Sequence, residues 1–250
     1  MVQNDRNLIA RLRLRVAVTL TVLALAGQAW AASLQVAPTS LTLQATQNAD
    51  GLWLSNSGDK DIQVQLRVFR WTQADGEESL TPTRDLVISP PMQTIPPGQR
   101  QLVRVIRTAP APPAEEISYR VIVDELPTAT PQQGLQFVLR YSIPIFIVPA
   151  TPAAIAPRLQ ARLLTAANGG GVLEISNHGT QHAQIADLSF GKDATAMTPL
   201  MPGLVGYVLT GQTMRWPLTS PASRFAGGAF KARINSEADE QPLPVAPAAR

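Results

Sequence analysis

The chain has 250 residues, a formal net charge of +3 and no cysteine, which excludes disulfides, thiol nucleophiles and thiolate metal sites. Proline is frequent (22 residues) and aromatics make up only 5%, a composition that suits short strands and turns better than helices. Residues 1–31 hold four arginines and one acid, so 17 of the 21 basic and 17 of the 18 acidic side chains lie beyond them; that remainder is neutral and gives no footing for nucleic-acid binding.

Arg6, Arg11, Arg13 and Arg15 lead into "VAVTLTVLALAG", followed by small residues up to Ala31. A basic start, a short apolar run and a small-residue site predict a secretory signal peptide over 1–31. The run is shorter than the ~20 residues that span a bilayer, so no membrane-spanning segment is expected after cleavage.

Residues 32–150 read as strands and turns. "SLQVAPTSLTLQA" alternates, and "GLWLSNSG" is a strand ending in a turn cluster. "DIQVQLRVFRWT" puts Ile62, Val64, Leu66, Val68 and Arg70 on one face, and "ADGEES" is a hairpin loop. Proline corners divide "DLVISPPMQTIPPGQRQLVRVIRT" into two short strands, and "EEISYRVIVDELP" is another. "GLQFVLRYSIPIFIVPA", residues 134–150, carries Leu135, Phe137, Leu139, Tyr141, Ile143, Ile145 and Ile147 at every second position. About seven strands at near-regular spacing predict a β-sandwich.

"VPATPAAIAP", residues 148–157, is a stiff proline-rich linker. Beyond it "GVLEISNHGTQHAQIADLSF" echoes "GLWLSNSGDKDIQVQLRVFRW", and "GYVLTGQTMRWPL" echoes "MQTIPPGQRQLVRV". The fold class is therefore all-β, with a second sandwich over residues 151–238 and a disordered tail over residues 239–250.

No nucleophile, base and orienting group fall together, so an enzyme is not expected, nor a cofactor or metal. His178 and His182 read as exposed polar residues of one turn, "NGGGV" at 168–172 as a hairpin turn, and Asp124 and Glu125 as pointing to opposite strand faces. Arg104, Arg120 and Arg140 lie in strands. Each either faces solvent or lines a basic cleft that takes a carboxylate, whose geometry the guanidinium fork matches.

The chain resembles the periplasmic chaperones of the chaperone–usher pathway over residues 33–236. The resemblance rests on "SN.G" at 55–58, "PP.Q.IPPGQ.Q.VRV" at 90–105, "E..YR....ELP" at 116–127 and the long alternating strand. It implies two immunoglobulin-like domains set at an angle. It also implies a donor strand that fills the open core of a pilus or fibre subunit through Leu135, Phe137, Leu139, Tyr141 and Ile143. The positions that usually hold the subunit's terminal carboxylate are Ser40 and Pro144 here. The junction acid matches Glu116, while its usual partners fall at Val148 and Ser236. "YR" at 119–120 and "YSIPIFI" at 141–147 look like the archaic, spore-coat-U-type branch, leaving Arg120 as the carboxylate anchor, with Arg104 and Arg140 as further candidates. The partners implied are fibre subunits and an outer-membrane usher, in the periplasm, with self-association of the empty form through its exposed edge. An exported β-sandwich structural or binding protein, such as a fibre subunit itself, is the alternative reading.

Overall fold

The computed structural model describes residues 33–108, 114–127, 138–150, 156–193 and 196–245, and alternating apolar residues build strands through most of these. The leader expected over residues 1–31 lies outside them. The first domain contains β1 (Leu34–Ala37), β2 (Leu41–Leu43), β3 (Ala49–Asn56), β4 (Ile62–Ala74) and β5 (Glu77–Pro82). It continues with β6 (Leu86–Ser89), β7 (Met92–Ile95), β8 (Arg100–Arg107), β9 (Ile117–Leu126) and β10 (Arg140–Ile147). One sheet runs β1-β3-β8-β6; the other runs β2-β10-β9-β4-β5, with β7 also on β4. Leu54, Val64, Val103, Tyr119, Val121 and Ile145 are among the buried residues between the sheets. Asp75 and Gly76, both at positive φ, make the tight turn that joins β4 to β5, as "ADGEES" predicts.

The second domain holds β11 (Leu159–Thr165), β12 (Gly170–Asn177), β13 (Ala183–Gly191), β14 (Thr198–Val208), β15 (Thr213–Pro221), β16 (Ala229–Ile234) and β17 (Glu240–Leu243). Its sheets run β11-β12-β15 and β14-β13-β16-β17. The tail expected to be disordered from residue 239 instead begins with β17, paired antiparallel with β16, and Leu243 is buried in the core. Pro242 conceals this in the sequence. At the edge of a sheet a missing N–H need leave no partner unmet, so the proline is tolerated.

The sequence echo between the two halves is a shared hydrogen-bond network. In the first domain the Asn56 side chain, fully enclosed, donates to the carbonyls of Lys60 (2.7 Å) and Ile95 (2.9 Å) and accepts from the Gly58 N–H (2.9 Å). In the second, Asn177 donates to Gln181 (2.7 Å) and Val208 (3.1 Å) and accepts from Gly179 (2.9 Å). The backbone of each asparagine closes on the following "GQ" turn, where Gly98 and Gly211 stand at φ +67 and +71, a region that side chains with a Cβ avoid. Each asparagine thus ties a strand end, its own turn and a distant turn together, and the sequence repeats because the knot repeats.

Candidate functional site at the domain junction

The alternation of β4 changes phase halfway. Ile62, Val64 and Leu66 are buried toward the first core, but further along Trp71 and Gln73, on the opposite face, become the buried ones. A strand that buries one face and then the other must be covered on its second face by something beyond its own sandwich. Here that cover is the second domain: Trp71 and Phe146 pack with Tyr207 and Leu209. Gln73 acts as one rung of a ladder. Its side-chain amide donates to the Tyr207 carbonyl (2.9 Å), and its oxygen accepts from the Leu209 N–H (2.9 Å).

His182 corrects the sequence reading. It is buried, not exposed; its ring stacks on Phe146 with centroids 3.4 Å apart and planes 5° from parallel. Its Nδ1 lies 3.0 Å from both carboxylate oxygens of Glu116, and its backbone N–H donates to the same carboxylate (2.8 Å). Glu116 is the junction acid expected from the resemblance, but its partner is a histidine from the second domain rather than groups at Val148 or Ser236. His178 is exposed, as expected.

The three arginines separate. Arg104 is exposed on β8, in the sheet away from the junction. Arg140 pairs with Asp124, which also accepts from Arg67 (2.7 Å). Burial would raise the Asp124 carboxyl, but the hydrogen bonds and charges of Arg67 and Arg140 outweigh it and hold it below the usual carboxylate range. Only Arg120 stands at the junction. Its guanidinium carbon lies 3.7 Å above the centre of the Trp71 ring and 5.2 Å from that of Tyr207, and its side chain is only 12% exposed. Its polar contacts are loose: 3.5 Å to the Ser142 carbonyl and 3.9 Å to Glu78. Burial draws its pKa down, and Glu78 and Tyr207 oppose that.

β10 crosses directly beside Arg120, with Pro144 opposite it in register. One edge of β10 is paired along its whole length with β9, but on the other edge β2 covers only Ile145–Ile147. Residues 140–144 therefore present an edge without a strand partner among the described residues. Leu135 and Phe137 lie outside the described residues. Leu139 and Tyr141 are half-buried at the rim of the first core, and the Tyr141 hydroxyl donates to the Leu34 carbonyl (2.6 Å). Ile143 departs from the expectation for a donor residue. It is 3% exposed and belongs to the first domain's own core, because its face of β10 closes the sandwich from residue 143 onward. The unbroken two-residue period hid this division, since a core-facing and a partner-facing segment have the same pattern.

Residues 33–153 match the model of a family described as the pili and flagellar-assembly chaperone, PapD N-terminal domain. A comparison with curated protein sequences finds no match. Among solved structures the chain is similar to the CsuC–CsuE chaperone–tip adhesion subunit pre-assembly complex from archaic chaperone–usher Csu pili of Acinetobacter baumannii. That likeness has 25% identity and a TM-score of 0.68, and covers 86% of this chain and 98% of that one. The CupB2 chaperone of Pseudomonas aeruginosa (16% identity, TM-score 0.57) is covered to 97% by 83% of this chain. The E. coli chaperone DraB (18% identity, TM-score 0.57) is covered to 97% by 84% of it. These last two likenesses show the two-domain fold. Among the described residues no helix is long and apolar enough to cross a membrane. Residues 33–153 are therefore a PapD-type chaperone N-terminal domain, and the chain as a whole has the two-sandwich fold of these pilus-assembly chaperones.

Proposed function

We propose that the protein is a periplasmic, non-enzymatic chaperone that binds an incomplete immunoglobulin-like fibre subunit by adding a strand to it, and then delivers it to an outer-membrane usher. The observation that carries this reading is the edge of β10 at residues 140–144, which has no strand partner among the described residues and is set beside a partly desolvated Arg120 whose acid contact, Glu78, is loose at 3.9 Å. An open strand edge supplies backbone hydrogen bonds to an extended partner, and alternate side chains supply specificity. Leu135, Phe137 and Leu139, with Tyr141 at the boundary, are the donor side chains; Ile143 stays in the chaperone's own core. The subunit's terminal carboxylate meets Arg120, since Arg140 is engaged by Asp124 and Arg104 is on the other sheet. The similarity to a chaperone solved with a tip adhesion subunit supports a subunit as the partner. Usher delivery rests on the family.

Co-expression with the subunit that purifies with the wild-type protein tests this. Phe137→Glu is expected to leave the free protein folded and abolish the complex. Arg120→Ala is expected to weaken it by about 2–5 kcal/mol, the usual cost of truncating one side of a desolvated charge pair. Wild-type recovery of complex with both variants would overturn the reading.

A further inference from the structure

Arg120 has a long side chain with freedom to move, and no acid closer than 3.9 Å fixes it in place. What fixes it is a pair of rings from different domains. The guanidinium carbon lies over the ring of Trp71 of β4, 3.7 Å from its centre, and 5.2 Å from the ring centre of Tyr207 of β14. The two rings meet edge to face, 5.3 Å apart at 82°. Tyr207 is itself held: its hydroxyl accepts from the Gln184 side chain (2.9 Å) and its carbonyl from Gln73 (2.9 Å).

This geometry matters for anion binding. An aromatic face attracts the cation without using any of its N–H donors. Those donors radiate in the guanidinium plane, and in-plane donors are the ones that grip a carboxylate in a bidentate manner. A close bidentate carboxylate from the same chain would have occupied them; Glu78, at 3.9 Å, is too far for that.

We infer that the carboxylate site is built by both domains, with Trp71 and Tyr207 as positioning residues that hold the Arg120 guanidinium in the orientation that receives a chain-terminal carboxylate. The inference rests on the reading of Arg120 as the anchor and deepens it: the site is complete only when the second domain brings Tyr207 against Trp71, so capture of a chain end depends on the domain junction.

The probe is a synthetic peptide copying the C-terminal strand of the subunit that co-purifies with the wild-type protein, prepared as the free acid and as the C-terminal amide. Wild-type protein should bind the acid more tightly than the amide by about tenfold or more. Tyr207→Leu should bring that ratio toward one with the amide affinity little changed, whereas Tyr207→Phe, which keeps the ring, should preserve it. Equal loss of acid and amide binding in Tyr207→Leu would mark a merely structural role and overturn the inference. If Tyr207→Leu does not fold, Trp71→Phe keeps an aromatic ring but shrinks the platform, and should lower the ratio about two- to fivefold. An unchanged ratio there would overturn the inference. Arg120→Ala separates the two levels. If it retains the wild-type ratio, the anchor reading itself fails; if it loses the ratio while Tyr207→Leu keeps it, only the two-domain inference fails.

Discussion

Asn56 and Asn177 show how much one side chain can organise. A buried amide has donors and an acceptor to satisfy, and here each finds a backbone partner that no strand ladder supplies. Truncation would leave those carbonyls and N–H groups without partners inside a packed domain. Asn177→Ala is therefore expected to destabilise the second domain by roughly 2–4 kcal/mol. Urea denaturation followed by Trp216 fluorescence in a background without the other tryptophans would measure it. A loss below about 1 kcal/mol would mean that water or a shifted turn replaces the amide.

Among the elements, β10 does two jobs along one strand. Its second half, from Ile143, is core; its first half is edge. The two halves should respond differently to truncation. Ile143→Ala should lower the stability of the free protein by about 2–5 kcal/mol, as buried large-to-small changes do. Leu139→Ala should change stability far less but reduce recovery of subunit complex; thermal melts paired with co-purification would separate the two. The edge is also pinned to β9 by Asp124, which joins Arg140 of β10 to Arg67 of β4. Its folded carboxyl is depressed, so the stability it contributes is fully present above the unfolded value near ~3.9 and is lost as pH falls through the lower folded value. Both arginines are substantially exposed, so each pair is expected to contribute under about 1 kcal/mol. Asp124→Asn should flatten that part of the acid-side decline in melting temperature below about pH 4 and leave slopes at neutral pH unchanged.

For the whole molecule, the junction is a packed interface with directional locks, which makes the domain arrangement specific. Gln73 reads two backbone groups of the second domain, Glu116 holds His182, and His182 lies flat on Phe146. The tip of the β4–β5 hairpin continues this contact, with Gly76 bridging to Met214 of β15. Gln73→Ala would leave the Tyr207 carbonyl and Leu209 N–H buried without their partner, at a cost of roughly 2–4 kcal/mol borne by the interface rather than by either core. The expected outcome is two folded domains that melt in separate calorimetric steps, with faster proteolysis of the 148–157 linker. A single unchanged transition would show that the aromatic cluster alone holds the domains.

The sequence by itself determined the all-β class, most strands of the first sandwich, the two-sandwich plan and the repeat, but not β17 or the division of residues 86–107 into three strands. Period-two alternation and turn residues are local properties, and the asparagine–glycine knot recurs as "SN.G" followed by "GQ" in both halves. It also placed Arg120 among three candidates and named Glu116 as a junction acid. Tertiary structure alone distinguishes the three arginines, because all three have the same local setting and differ only in what lies across the sheet: solvent for Arg104, Asp124 for Arg140, and two rings from two domains for Arg120. It alone moved His182 from an exposed turn to the interface, since its partners Glu116 and Phe146 are 66 and 36 positions away in the chain. It alone divided β10 into core and edge. Alternation tells which side chains share a face, but only the placement of β2 beside Ile145–Ile147 tells where cover ends and an open edge begins.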